Sequence, residues 1–134
     1  MPIAAKQLDA SQQIIIPLAI DAHVTTGGYT VIGGDEFDPS LLPSDNRTIQ
    51  FVVRFLTTNI ANDGYVRLYN VTDGLEVIEF QTNSLNVDKQ FMNLTAAVDI
   101  PNSEKTYEVQ SKIIPSDGVQ SVICQKSEFR IKWK

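Results

Sequence analysis

Apolar and polar residues alternate with a period of two along most of this chain, the repeat of a strand whose faces meet different surroundings. Segment 128–134 is the plainest case. Phe129, Ile131 and Trp133 fall on one face and Glu128, Arg130, Lys132 and Lys134 on the other, predicting a strand with one buried and one wet face. Ile49, Phe51, Val53 and Phe55 line one face of a strand over 47–57; its other face mixes Gln50 and Arg54 with Val52 and Leu56, which predicts cover on both sides. Val66 and Leu68 alternate with Tyr65, Arg67 and Tyr69, Ile78 and Phe80 with Val77, Glu79 and Gln81, and Tyr107, Val109 and Ile113 with Glu108, Gln110 and Lys112. Weaker patterns lie at 13–20, 28–32, 90–98 and 119–125, and no apolar stripe of helical spacing lasts three turns. Glycine, proline and aspartate punctuate the gaps at Gly27-Gly28, Gly33-Gly34, Asp63-Gly64, Asp73-Gly74 and 115–118. The pattern predicts an all-β fold: a single antiparallel β-sandwich, jelly-roll-like, of about eight to nine strands over residues 13–134. Segment 33–46 reads as the longest loop, holding at most one helical turn. Residues 1–12, polar and unpatterned, read as an N-terminal arm.

One hairpin can be derived in detail. Val66 and Leu68 must share the core face with Ile78 and Phe80. A two-residue Asp73-Gly74 turn would set Leu68 against Glu79 and break that rule. A three-residue loop, Thr72 to Gly74, sets Leu68 against Ile78 and Val66 against Phe80, and places Gly74 where a left-handed residue is wanted. Arg67 then faces Glu79 on the outside.

Length and charge narrow the function classes. The 134 residues suit one domain with a sizeable core, and 43% hydrophobic against 20% charged residues excludes a disordered chain. The 16 acidic residues outnumber 11 basic ones, giving a net charge of −5, so neither nucleic acid nor an anionic membrane is an expected partner. A lone cysteine, Cys124, excludes an internal disulfide and a thiolate zinc cluster; a lone histidine, His23, excludes a site needing two imidazoles. No apolar run is long enough to span a bilayer, and Lys6 is followed by Asp9 and polar residues rather than by the apolar stretch of a signal peptide. The expectation is synthesis in the cytoplasm without export.

Few side chains suggest chemistry. Gly33-Gly34-Asp35-Glu36-Phe37 resembles the signature of diguanylate cyclases, but that family's α/β context of helices before and after the motif is missing here, and the residues read instead as a glycine turn into a polar loop with Phe37 tucked inward. Asp35, Glu36 and Asp38 are oxygen ligands of the kind Ca²⁺ takes, but their order is not that of an EF-hand loop, and a solvated acidic loop is expected. His23 reads as an ordinary strand residue and Cys124 as a small strand or core residue. Tyr29, Tyr65, Tyr69 and Trp133 could stack on sugar rings; Tyr65, Arg67 and Tyr69 share one outer face and are the candidate glycan contacts, unless a second layer covers them. No catalytic residue, metal ligand or cofactor is expected.

Five stretches occur in a recognisable order: Tyr29–Gly34 (YTVIGG), Phe37–Ser40 (FDPS), Arg47–Phe51 (RTIQF), Val66–Gly74 (VRLYNVTDG) and Lys105–Gln110 (KTYEVQ). Over roughly residues 28–133 the chain resembles a jelly-roll module of tailed-phage virion proteins and bacterial surface proteins. The resemblance implies a non-enzymatic structural protein of a phage particle: a capsid decoration or cement protein, a head fibre, or a small tail component. It implies a virion location, the major capsid protein or another virion protein as partner, and a trimer as the form of the homo-oligomer that the arm and the two-sided strand at 47–57 suggest. The alternative is a carbohydrate- or receptor-binding β-sandwich module acting through Tyr65, Arg67 and Tyr69.

Overall fold

The computed structural model of the chain describes residues 12–43, 47–95 and 97–133. Eight strands account for most of them: β1 (Gln12–Val24), β2 (Thr30–Phe37), β3 (Thr48–Thr57), β4 (Asp63–Asn70), β5 (Leu75–Thr82), β6 (Asp88–Leu94), β7 (Lys105–Ile114) and β8 (Val122–Trp133). A single 3₁₀ turn, Pro39–Leu41, follows β2, and no α-helix occurs among the described residues. The strands form two four-stranded antiparallel sheets, ordered β1-β8-β3-β6 and β2-β7-β4-β5.

This order is a rolled hairpin. β4 pairs with β5, β3 with β6, β2 with β7 and β1 with β8, as the two arms of one long hairpin would. Rolling adds the β3–β8 and β4–β7 ladders, which close the jelly roll. The predicted all-β sandwich is therefore the observed fold. The patterns at 119–125 and 128–134 are one continuous strand, β8, whose polar break at Gln125 falls at a bulge against β3.

Inward residues of both sheets fill the core. Phe129 sits at its centre, with its ring 4.8 Å from Phe37, 5.5 Å from Tyr107 and 6.3 Å from Phe51. Phe51 stacks in turn on Phe80 at 5.8 Å. Ile131 is also fully buried and Trp133 packs against the cluster, as the last strand's alternation predicts. The opposite face of β8 departs from the expectation of a wet surface. β8 is an inner strand between β1 and β3, and Glu128 is 2% exposed there, paired with Arg130 at 2.9 Å and Lys126 at 3.2 Å. Val52, on the outward side of β3, is buried as well.

Three local expectations are corrected. Gly33 to Phe37 belongs to β2 rather than to a loop. Gly33 is there because β2 crosses close to β1: a Cβ would overlap the Leu18 carbonyl oxygen. In the β4–β5 hairpin Leu68 does oppose Ile78, Val66 opposes Phe80, and Gly74 has φ +67°. The loop, however, spans four residues, 71–74, because Val77 is bulged and the register shifts by one at Tyr69, which pairs with Glu76. Lastly, Arg67 lies opposite Glu79 but forms its ion pair with Glu76, at 3.3 Å, which the same bulge brings to the outer face. The arm expected at residues 1–12 lies outside the described residues except for Gln12, which begins β1 opposite Trp133.

Candidate functional site

The outer face of the β2-β7-β4-β5 sheet carries the chain's most organised group of polar and aromatic side chains. Along β4, Gly64, Val66, Leu68 and Asn70 point into the core, so Tyr65, Arg67 and Tyr69 point out. Along β7, Tyr107, Val109 and Ile113 are buried, so Glu108, Gln110 and Lys112 share that outer side. The β4–β7 register sets Tyr65 beside Lys112, Arg67 beside Gln110 and Tyr69 beside Glu108. Tyr29, at the entry to β2, joins them.

The result is a row in which aromatic rings and cations alternate: Tyr65, Lys112, Tyr29, Arg67, Tyr69. The Arg67 guanidinium carbon lies 3.8 Å from the Tyr29 ring centroid and 4.7 Å from that of Tyr69. Lys112 Nζ lies 4.4 Å from the Tyr29 centroid and 5.1 Å from that of Tyr65. Each such contact contributes about 0.5–1 kcal/mol at an exposed site. Arg67 Nε donates to Gln110 Oε1 at 2.8 Å, and Gln110 Nε2 donates to Glu108 Oε1 at 3.0 Å, which fixes the amide and through it the guanidinium. The row is thus held by four ring–cation contacts and two hydrogen bonds before any ligand arrives. It offers the Tyr65 and Tyr69 hydroxyls, ring edges and cationic N–H donors, a set suited to an oxygen-rich ligand, while the Tyr29 hydroxyl is buried.

Tyr65, Arg67 and Tyr69 thus stand together on one face, as their spacing implied. Trp133 does not join them; it packs against the core from β8, in the other sheet. Lys112, Gln110 and Tyr29's place in the row were missed. The outward alternation of β7 shows that Lys112 faces away from the core. Its neighbours depend on the β4–β7 ladder, which sets Lys112 beside Tyr65, far away in the sequence, and has no local signature.

The acidic segment is not a convergent site. Asp38 Oδ1 accepts from Ser40 N at 3.0 Å and Ser40 Oγ at 2.6 Å, capping the 3₁₀ turn. Asp35 Oδ1 accepts from the Glu36 backbone N–H at 2.8 Å. Glu36 meets Glu104 instead, and the shared hydrogen bond and repulsion hold the Glu104 carboxyl above the usual carboxylate range. Among the described residues no three of His, Cys, Asp and Glu gather in a metal-binding group. Glycines 33 and 34 floor a shallow cleft of about 390 Å³ beside these acids. His23 is exposed, with Nε2 3.4 Å from Asp21. Cys124 is buried, and burial pushes its thiol up to about 11.

No family model and no curated relative matches the chain. Solved structures do match its fold. The VP2 subviral particle of infectious bursal disease virus superposes with a TM-score of 0.58 at 14% identity, covering 93% of this chain and 33% of VP2. The chain thus spans about a third of that protein's length. The CBM36-1 domain of a multidomain xylanase, from the hindgut metagenome of Trinervitermes trinervoides, superposes with a TM-score of 0.56 at 11% identity, covering 90% of this chain and 96% of that domain. At these identities the likeness is one of fold.

Proposed function

We propose that the protein is a non-enzymatic structural component of a phage particle: a capsid decoration or cement protein, a head fibre, or a small tail component. The observation that carries this reading is the use made of the buried polar side chains. Asn62 donates to the Pro115 carbonyl, Ser111 to the Tyr65 carbonyl, and Asn70 ties down Asp73 in the hairpin loop. Asn62 and Ser111 brace the frame of the sandwich, and Asn70 fixes the hairpin loop that closes one end of it. The same fold in the VP2 subviral particle supports the reading. On it, the major capsid protein or another virion protein is the partner, the N-terminal arm that leads into β1 contacts a neighbouring subunit or the particle surface, and the assembly is a homo-oligomer, a trimer. Gradient-purified particles should carry the protein at a fixed ratio to the major capsid protein; finding it only in the soluble fraction refutes the proposal. Light scattering of the purified protein tests the trimer.

A second reading is a carbohydrate- or receptor-binding module. It is favoured by the row that gathers Tyr65, Arg67 and Tyr69, and supported by the match along nearly the whole of the CBM36-1 domain. A glycan array should then give a hit that Tyr69→Ala abolishes; an array without a hit removes the carbohydrate form of this reading and leaves the structural one standing.

A further inference from the structure

We propose that the Lys112 end of the tyrosine row is a subsite for the carboxylate of an acidic sugar, so that the ligand carries a uronic or sialic acid residue. This rests on the second reading above and specifies its ligand. Lys112 Nζ lies over the Tyr29 and Tyr65 rings, and ring faces attract its charge without accepting all of its N–H groups. No carboxylate of the described residues lies within ion-pair distance of it, in contrast to Arg67 with Glu76, Lys105 with Asp73, and Lys126 with Glu128. An ammonium held in place by two rings and lacking an acceptor is a prepared site for one.

The charges on this face are unevenly spread. Glu76, Glu79 and Glu108 stand beside Arg67 and Tyr69, at the far end of the row. Across from Lys112 the register places Tyr65 and then the neutral Gln81. Asp63 lies one outward position beyond Tyr65 on β4 and makes no ion pair with Lys112. An anionic group is therefore repelled from the Arg67 end and accepted at the Lys112 end. Tyr65, partly exposed, supplies a ring against which the C–H edge of the same sugar can rest. A free carboxylate lacks that second contact, so the sugar ring and its carboxylate are recognised together.

Isothermal titration with matched pairs tests this: xylotetraose with and without a glucuronic acid branch, and lactose against 3′-sialyllactose, with acetate as the bare carboxylate. The expected result is that at least one acidic member binds about tenfold more tightly than its neutral partner, the size of one charge-assisted contact, and that acetate does not bind. Lys112→Gln should bring the acidic member down to the level of the neutral one, and Tyr65→Ala should weaken both. Should Lys112→Gln fail to fold, the salt dependence of the wild type decides: the preference should shrink as NaCl rises from 50 to 500 mM. Equal binding of acidic and neutral members overturns the carboxylate subsite while sustaining the glycan reading. A preference that survives Lys112→Gln, or that does not change with salt, also overturns the subsite. Binding by no member of either pair overturns the subsite, and the glycan array then decides the glycan reading.

Discussion

Substituting Gly74 separates backbone strain from crowding at the β4–β5 loop. Its φ of +67° lies in the left-handed region, and the only atom within 4 Å of an added Cβ is Tyr69 Oη, at 3.9 Å. Crowding is thus ruled out as a source of instability, and any loss comes from the conformation alone. Forcing an L residue into this region costs about 1–2 kcal/mol, most for β-branched side chains and least for asparagine. We expect Gly74→Ala to destabilise by about 1 kcal/mol, Gly74→Val by about 2 kcal/mol, and Gly74→Asn by less than either. The glycine's greater freedom in the unfolded chain offsets part of each loss, by about 0.4–1 kcal/mol. Urea unfolding followed by tryptophan fluorescence measures this through the midpoint at constant slope. In a thermal melt, 1 kcal/mol should appear as a shift of roughly 3–5 °C for a domain of this size. Three variants with one common midpoint, equal to that of the wild type, would refute the reasoning, since they would show that the loop does not need a left-handed residue.

Further outcomes follow from the core and from the buried thiol. Deleting residues 129–134 should abolish cooperative unfolding, because it removes fully buried Phe129 and Ile131, each contributing about 1.5–3 kcal/mol, from an inner strand; a soluble truncation with a sharp melt would count against this. Phe129→Ala should cost about 3–5 kcal/mol by urea unfolding, since three rings border the cavity it leaves. Cys124 should resist a thiol reagent at pH 8 until denaturant is added. Burial raises its pKa to about 11 in the fold, from 9.0 in the open chain, so the stability it contributes is full below pH 9 and is lost as pH rises through 11; Cys124→Ala should flatten that decline.

Much of this frame can be read from alternation, because each strand with one buried face declares it at every second residue. The core faces of β3, β4, β7 and β8 and the Leu68–Ile78 register follow from that rule. What escaped it has specific causes. Val77 and Ile78 are both apolar, so a bulge at Val77 leaves no trace in the pattern. Gly33 and Gly34 look like a turn because adjacent glycines commonly make one, whereas Gly33 accommodates the backbone of β1. Glu128 looks solvent-facing because its pattern is that of a wet face; its burial depends on β1 and β3 flanking it, which no local signal reports. In the same way, Tyr65, Arg67 and Tyr69 are visible as a group within one strand, while Lys112 and Tyr29 enter the row only through pairing across the sheet.

The pairing of the first strand with the last has a consequence for how the protein is made. β8 lies between β1 and β3, so that sheet lacks its second member until residue 133 has left the ribosome. At roughly 5–20 residues per second, the interval between completing β1 and completing β8 is about 5–20 s. Throughout it, β1 presents unpaired backbone together with Leu18 and Ala19, which the finished core buries, and β3 adds its own unpaired side once it is made. Co-translational assembly can reach the β4–β5 and β3–β6 pairs, but the first sheet closes only after synthesis of the domain ends. A slow codon cluster or a stall between β1 and β8 should therefore raise aggregation without changing the stability of the finished protein.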